Sequence, residues 1–396
     1  MIINTDSSWI DDTCMVPIVR DDLSESESED MYVVDTEPDS EEENPNDRHV
    51  LGTINTDKMA KELLALRLSG VNPLEVITAL GLNLHNENIA PSVAWSLLEG
   101  LIDELKEARL PRKQLPQFSS VNKGVEIIAK ARRILVLTGA GISVSCGIPD
   151  FRSKDGLYSK VRARFPELDD PTLMFDLAYF KKNPKVFYSF AREIWDVQGH
   201  EPSVSHMFIS QLEARGQLLR NYTQNIDGIE AQAGISKCIT CHGRFDTTTC
   251  QRCHDQTLSG ERLQEFIHEG VVGTCAHCGG VLKPDLVFFG EPLPDDFDTH
   301  IDADCEQVDL VIVMGSSLKV KPVAGLCGRI PRHVPQILIN REVVGYPHQF
   351  DLYLLGECDD ITHYLLSRLG WLSEESSYDG RMPFSPVGPG KYVWTG

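Results

Sequence analysis

Five short apolar runs, at 134–137, 218–223, 308–314, 336–339 and 352–355, recur between helix-periodic stretches such as 184–198 and 203–214. Runs this apolar have no polar face to offer water, so they read as strands covered on both sides. Buried strands alternating with helices specify an α/β fold: a parallel sheet with helices on both faces. In such a sheet ligands bind beyond the carboxyl ends of the strands, so the residues that follow each run carry the functional information.

The first run leads into Thr138-Gly139-Ala140-Gly141. Small residues in a strand-to-helix turn let backbone N–H groups approach a pyrophosphate. The dinucleotide fingerprint G-x-G-x-x-G would next require a glycine at 144, where the chain has Val144, and Gly147-Ile148-Pro149 breaks the helix that should follow. No acidic residue ends a second strand about 20 residues on, where a dehydrogenase holds its ribose. Residues 154–170 read instead as a long mobile loop. The turn predicts a phosphate cradle that departs from hydride-transfer enzymes.

The second run ends in "NYTQNIDGIEAQAG", residues 221–234. Gln224, Asn225 and Asp227 crowd the strand's end, where amides can fix ribose hydroxyls or a carboxamide, while Asp227 also suits a cap on the helix beginning at 228. In "KCITCHGRF", His242 offers an imidazole whose ordinary pKa of about 6.5 suits a general base. Four further segments, 283–291 (KPDLVFFGE), 313–322 (VMGSSLKVKP), 337–342 (ILINRE) and 354–360 (LLGECDD), run from apolar residues into small or polar ones. Each alone is ordinary strand-to-loop chemistry. In register with the first two motifs they make one cleft.

Six of the 11 cysteines form three C-x-x-C pairs. Cys250 and Cys253, then 21 residues, then Cys275 and Cys278 have the pattern of a four-thiolate zinc ribbon. A rival set, Cys238, Cys241, Cys250 and Cys253, stays open; the first is preferred because it closes a compact insertion across its base. Four thiolates leave no open coordination position, so one structural Zn2+ is expected. The absence of an export-type leader and of an apolar run of about 18 residues, with this cysteine usage, points to a reducing compartment and no membrane.

The net charge of −22 is concentrated in residues 1–50, which hold 16 Asp or Glu against Arg20 and Arg48. That stretch reads as a disordered acidic tail, with Ser24, Ser26 and Ser28 placed for an acidophilic kinase. The acidity, and the lack of a basic cluster in the zinc region, speak against sequence-specific nucleic-acid binding. Residues 54–109 show apolar spacing of three and four, broken at Gly70, Pro73 and 83–88, as in a unit of about three helices that docks or regulates. Residues 111–117 read as a linker and 371–396 as a flexible C-terminal tail.

Taken in order, GAGIS, IPDFRS, TQNID, CHG, two C-x-x-C pairs, KPDLVFFGE, GSSLKV and NRE closely resemble the sirtuins, the NAD-dependent protein lysine deacylases. The resemblance covers about 119–370 and is strongest to the nuclear, silencing-type class, whose regulatory N-terminal extension residues 54–109 also resemble. It implies a Rossmann-type NAD domain with a small zinc-ribbon/helical domain inserted at about 238–283. NAD would be consumed as a co-substrate in the cleft between the two. Gly139, Ala140, Gly141 and Ser143 would hold the pyrophosphate and adjacent ribose. Asp150, Phe151, Arg152 and Tyr158 would form a lid over the nicotinamide ribose. Gln224, Asn225, Ile226 and Asp227 would bind that ribose and the nicotinamide. Gly315, Ser316 and Ser317 would reach the other ribose and phosphates, and Asn340, Arg341, Glu342 and Cys358 would line the adenosine end. Val287, Phe288 and Phe289 would wall the acyl tunnel, while Gly290, Glu291, Leu318, Lys319 and Val320 would pair with an extended substrate.

By the same resemblance, the acetyl oxygen attacks C1′ of the nicotinamide ribose, nicotinamide leaves, and His242 acts as base on the ribose hydroxyls. Products are free lysine and 2′-O-acetyl-ADP-ribose. Acetylated histone tails, other acetyl-lysine proteins, and chromatin or transcription factors docking on 54–109 are the implied partners. The nucleus is the implied compartment, with the cytoplasm second. Gly228 and Arg244 stand where relatives more often have a threonine and a serine. Two alternatives remain open at this level: a mono-ADP-ribosyltransferase, which breaks the same first bond, and a non-catalytic NAD-sensing scaffold.

Overall fold

The computed structural model describes residues 56–80, 91–109, 112–195, 200–255, 258–372 and 382–396; the acidic stretch with Ser24, Ser26 and Ser28 lies outside them. The chain divides into two units, 1–110 and 111–396. In the first, three helices form where the spacing predicts them: α1 (Thr56–Leu68), α2 (Pro73–Ala79) and α3 (Pro91–Arg109). Asn72 caps α2 by accepting the Leu74 N–H at 3.1 Å, and Pro73 occupies the first turn, where it forfeits no hydrogen bond. Leu63, Ile77, Ala94, Trp95, Leu98 and Ile102 make this unit's own small core.

In the second unit all five apolar runs are strands. β1 (Ile134–Thr138), β2 (Leu218–Thr223), β3 (Cys238–Thr240), β7 (Leu310–Met314), β8 (Gln336–Asn340) and β9 (Leu352–Leu355) lie parallel in one sheet of order β9-β8-β7-β1-β2-β3. Between β3 and β7 the chain leaves the sheet to build β4 (Gly243–Cys250), β5 (Leu258–Ser259) and β6 (Leu282–Leu286), an antiparallel trio of order β5-β4-β6.

Side chains alternate through the sheet as a period of two requires. Ile134 and Val136 enter one core with Ile128, Phe208 and Ile361; Leu135 and Leu137 enter the other with Phe297, Ile301 and Leu326. So α4 (Val121–Lys130), α8 (Val204–Ala214) and α13 (Cys358–Arg368) cover one face, while α11 (Asp295–Gln307) and α12 (Leu326–Arg329) cover the other. A third core, dominated by aromatics, joins α5 (Leu157–Arg164), α6 (Leu177–Lys182) and α7 (Pro184–Trp195) to Phe245, Leu286 and Phe288 and to α10 (Gly260–Glu269) through Leu263 and Ile267. The short α9 (Ile229–Gln232) follows β2. The α/β reading therefore holds, a Rossmann-type sheet with a small second layer of zinc ribbon and helices.

Two expectations are corrected. Residues 154–170 contain α5, because Leu157 and Val161 find buried places in the aromatic core. Residues 382–396 are not a flexible tail. They form β10 (Phe384–Gly388) and β11 (Lys391–Trp394), a hairpin whose second strand runs parallel to β9 and extends the sheet to eight strands. Phe384 packs edge-on against Tyr364 of α13 and against Trp394, with ring centroids 5.2 Å apart in both pairs. The presumed linker is also fastened: Arg112 is buried in an ion pair with Asp351 at 2.6 Å. Among the described residues no helix is long and apolar enough to cross a membrane.

Candidate functional site

The register brings the strand ends to one edge. Thr138 is paired with Thr223 and with Met314, Thr223 with Thr240, and Met314 with Ile339. The loops at 139–143, 224–227, 241–242, 315–318 and 340–342 therefore leave the sheet side by side, the placement that makes ligand clefts in open α/β sheets.

Glycine is required where two of these loops touch. The Gly141 N–H donates to the Gly315 carbonyl at 2.8 Å. A Cβ on Gly141 would stand 2.6 Å from Gly315 Cα, and one on Gly139 would stand 2.8 Å from the Gly315 oxygen. Gly315 itself takes φ +61, a left-handed conformation that suits glycine. Beyond this contact Ser143 Oγ donates to Asp227 Oδ2 at 2.8 Å and accepts from Asn225 Nδ2 at 3.2 Å. Ser316 Oγ donates to Gln224 Oε1 at 2.6 Å and accepts the Leu318 N–H at 3.1 Å. The amide cluster and the two glycine-containing loops are thus one hydrogen-bonded constellation.

His242 follows β3. Its Nδ1 lies 2.9 Å from the Gln224 carbonyl oxygen, and its Nε2 is buried with no hydrogen-bond partner among the described residues. Burial pushes the imidazole pKa below its ordinary value, and the hydrogen bond to the Gln224 carbonyl opposes this only in part. A cleft at this strand edge is lined by Ala140, Ile148, Pro149, Phe151, Leu157, Asn225, Ile226, Asp227 and Phe245, with Glu193 and Ile194 of α7 at its wall; His242 itself is not part of that lining. Its surface is mostly apolar, with the Asn225 amide and the Asp227 and Glu193 carboxylates as its polar groups, the general make-up of a small-molecule site.

The other named residues fall around this centre. Asp150 folds its own segment, its Oδ1 accepting the N–H groups of Arg152 at 2.8 Å and Ser153 at 2.7 Å. Phe151 and Arg152 both lean toward Tyr158, each about 5.7 Å from its ring centroid. At the far end Asn340 Nδ2 donates to the Glu342 carbonyl at 2.9 Å, and the buried Cys358 thiol faces the Ile339 carbonyl at 3.7 Å. Arg341 is held in a two-pronged pair with Glu357. Ser317 and Lys319 are placed on the loop after β7 but have no hydrogen bond among those described. Leu318 takes φ +51, unusual for a branched side chain.

The 286–291 segment joins the cleft to the antiparallel trio. The Val287 N–H donates to the His242 carbonyl at 2.8 Å. Phe288 is buried, whereas Phe289 is 40 % exposed and bridges in parallel to Asp176. The Glu291 carboxylate turns inward to Lys283, so its side chain is occupied within the protein.

Cys250, Cys253, Cys275 and Cys278 place their sulfurs within 4.8 Å of one another, the one such group of potential ligands among the described residues. Sulfur pairs stand 3.5 and 3.7 Å apart, close to the edge of a tetrahedron with zinc–sulfur bonds of about 2.3 Å. The Arg252 and Gly280 N–H groups each point at a sulfur from 3.4 Å, as donors to thiolates. A Cβ on Gly280 would stand 2.8 Å from Cys250 Sγ, so this glycine keeps the cradle open. The four residues fit a structural zinc. The rival set is excluded, since Cys238 and Cys241 pack into the two opposite cores of the large sheet.

Sequence reasoning missed three contributors. Ser203 caps α8 and donates from Oγ to the Ile142 carbonyl at 2.8 Å, fastening the cradle from behind. Its S-x-x-H capping pattern was visible. Glu230 is buried against Thr223 Oγ1, its pKa raised by burial and by Asp227; nothing in a helix-start acid announces that. Lys283 was visible only as part of a strand.

Comparison with known proteins gives the same direction. The Sir2 family matches residues 139–322. "NAD-dependent protein deacetylase sir-2.1" of Caenorhabditis elegans is 46 % identical over 334 residues, covering 83 % of this chain and 54 % of that protein. "NAD-dependent histone deacetylase sirtuin-1" of Drosophila melanogaster is 43 % identical over 302 residues, covering 70 % of this chain and 36 % of that one. A solved structure described as "Structural Basis for the Mechanism and Regulation of Sir2 Enzymes" superposes with a TM-score of 0.58 at 31 % identity, over 65 % of this chain and 100 % of its own. The chain spans about half the length of the curated relatives it matches.

Proposed function

The chain belongs to the Sir2 family, and on that footing we propose that it is an NAD-dependent protein lysine deacetylase. The observation that carries the reading is the free, buried Nε2 of His242 at the strand edge where the amide cluster and the glycine cradle converge. A dehydrogenase would hold its ribose with an acid at the end of a second strand, and the sequence offers none about 20 residues past the glycine turn. A scaffold that only sensed NAD would have no reason to bear the cost of an unpartnered buried nitrogen.

In this reading NAD supplies an electrophilic ribose carbon once its nicotinamide departs. The small residues of the 139–143 loop let the pyrophosphate approach the backbone closely, with Ser316 and Ser317 reaching the second ribose. Asn225 and Asp227 orient the nicotinamide ribose and carboxamide, and Phe151 and Ile226 exclude water. His242 Nε2 takes a proton from a ribose hydroxyl so that its oxygen can attack the acyl carbon. Val287, Phe288 and Phe289 wall the neutral acyl chain. The backbone of Gly290, Glu291 and Leu318 to Val320 pairs with an extended peptide. The zinc holds the small layer in shape and takes no part in the chemistry.

Histone tails and other acetylated proteins are the proposed substrates, with the nucleus as compartment and the three-helix unit as the docking module for chromatin or transcription factors. The family resemblance to the silencing-type class supports all three. The deciding experiment is mass spectrometry of products from purified protein, NAD and an acetylated histone-tail peptide. Equal amounts of free lysine peptide, nicotinamide and acetyl-ADP-ribose are expected. Nicotinamide with ADP-ribosylated protein would establish a transferase instead, and no NAD loss with any acyl peptide would leave the sensing scaffold.

A further inference from the structure

Lys283 is the most conspicuous buried charge that this reading leaves without a task. It is 4 % exposed, yet an ammonium has three protons to satisfy. All three acceptors come from its own short segment: the Pro284 carbonyl at 3.1 Å, the Leu286 carbonyl at 2.6 Å, and Glu291 Oε2 at 2.8 Å. The Phe288 ring closes the fourth side, 4.3 Å from Nζ to its centroid. Glu291 Oε2 also accepts the Phe288 N–H at 2.8 Å. One ammonium thus gathers residues 284, 286, 288 and 291 into a fixed turn.

Besides its pairing with β4, that turn is tied at Val287 and at Phe289. Through the Val287 N–H it grips the backbone of His242 at 2.8 Å. Through Phe289 it joins the 175–177 segment, the Phe289 N–H donating to the Phe175 carbonyl at 2.7 Å and its carbonyl accepting from Leu177 N at 3.1 Å. Between these ties Phe288 faces inward and Phe289 outward. Rotating the turn would move the base's backbone and the wall of the acyl site together.

We propose that Lys283 is a positioning residue for the acyl-lysine substrate: paired with Glu291, it sets the 286–291 turn so that acyl chain and peptide meet His242 in register. The proposal rests on the deacetylase reading and deepens it at the substrate side, since no residue of the ion pair touches the nucleotide cradle. Stability does not explain the pair. A buried ion pair is commonly replaced by apolar side chains without loss of stability, whereas one charge left alone is costly.

The test uses the full chain, with initial rates of nicotinamide release at varied NAD and varied acetyl-lysine peptide. Lys283→Met is expected to raise the KM for peptide about 10- to 100-fold while leaving the KM for NAD within about twofold, the scale of misplacing a substrate by roughly an ångström. Because the single variant strands the Glu291 charge, the double variant Lys283→Met with Glu291→Met is measured beside it, with zinc content and thermal melting as controls. The double variant is expected to fold with full zinc and to keep the raised peptide KM. A folded double variant with normal peptide KM, or one in which both KM values rise together, overturns the proposal. A wild-type chain that releases no nicotinamide with any acyl peptide overturns the deacetylase reading, and this proposal with it.

Discussion

The Nδ1 atom of His242 lies 2.9 Å from the carbonyl oxygen of Gln224. A carbonyl can only accept, so Nδ1 carries the ring proton and Nε2 carries the lone pair. The same Gln224 receives the Ser316 hydroxyl on its side chain. One residue at the end of β2 therefore fixes the tautomer of His242, the proposed base, with its backbone and fastens the 315–318 loop with its amide.

Replacing that base separates chemistry from folding. His242→Ala should lower turnover by roughly 10²- to 10⁴-fold, the usual worth of a positioned general base, while zinc content and melting temperature stay close to those of the wild type. Unchanged turnover in a folded variant would falsify the assignment.

The pH profile tests the burial of the same group. Desolvation disfavours the imidazolium, so the pKa of His242 lies below about 6.5 in the free protein. The base is therefore neutral and competent throughout the neutral range, and the acid limb of kcat/KM should have its midpoint below pH 6.5. The linked stability has the same sign. The unfolded chain binds this proton more readily, so the contribution is complete above the unfolded pKa and declines as pH falls below it. An acid-limb midpoint at or above about pH 6.5 in initial-rate measurements would show that burial does not hold the His242 pKa down.

The cysteine cluster can be tested without any assay of activity. Cys275→Ser should reduce bound zinc from one equivalent to near zero and make the β4–β6 region sensitive to protease, because the sulfurs close that trio across its base. Cys238→Ser and Cys241→Ser should keep full zinc by elemental analysis, since each thiol sits in a core of the large sheet. Zinc loss in either of the latter would restore the rival ligand set.

How much of this could be read in the sequence depends on the physical scale of each signal. Apolar runs and their spacing are local, so β1, β2, β7, β8 and β9 were legible, as were the three helices of the first unit. Gly139 and Gly141 were legible as a cradle, but the reason for Gly141, contact with Gly315, is a meeting of residues far apart in the chain. α5 was obscured because its helix is specified by two apolar residues, Leu157 and Val161, that acquire a face only against the aromatic core. Two of the three acceptors of Lys283, and the one through which Ser203 fastens the 139–143 loop, are backbone carbonyls, and a carbonyl leaves no mark in a sequence.

The cradle offers a one-methyl experiment. Gly141→Ala would place Cβ 2.6 Å from Gly315 Cα, backbone against backbone, so one loop must move. The expected result is a rise of about tenfold or more in the KM for NAD, with zinc content retained, because the two loops that would meet the dinucleotide lose their close approach. A variant with wild-type NAD kinetics would show that the Gly141–Gly315 contact does not set the cradle.

The hairpin at the C-terminal end was hidden by its Ser, Pro and Gly content, which resembles a linker. The structure gives it a load: Phe384 is 6 % exposed and sits between Tyr364 of α13 and Trp394, while β11 covers the edge of β9. Phe384→Ala removes a buried ring and should cost about 3 kcal/mol, the low end for such truncations. For a unit of this size that corresponds to a melting temperature roughly 6–12 °C lower. Exposed Val387→Ala, on the same hairpin, should change melting little, since its side chain leaves no cavity. A flexible tail would make both substitutions silent. A loss confined to Phe384 means that α13, whose first residue is Cys358, is held in part from the far side by this hairpin.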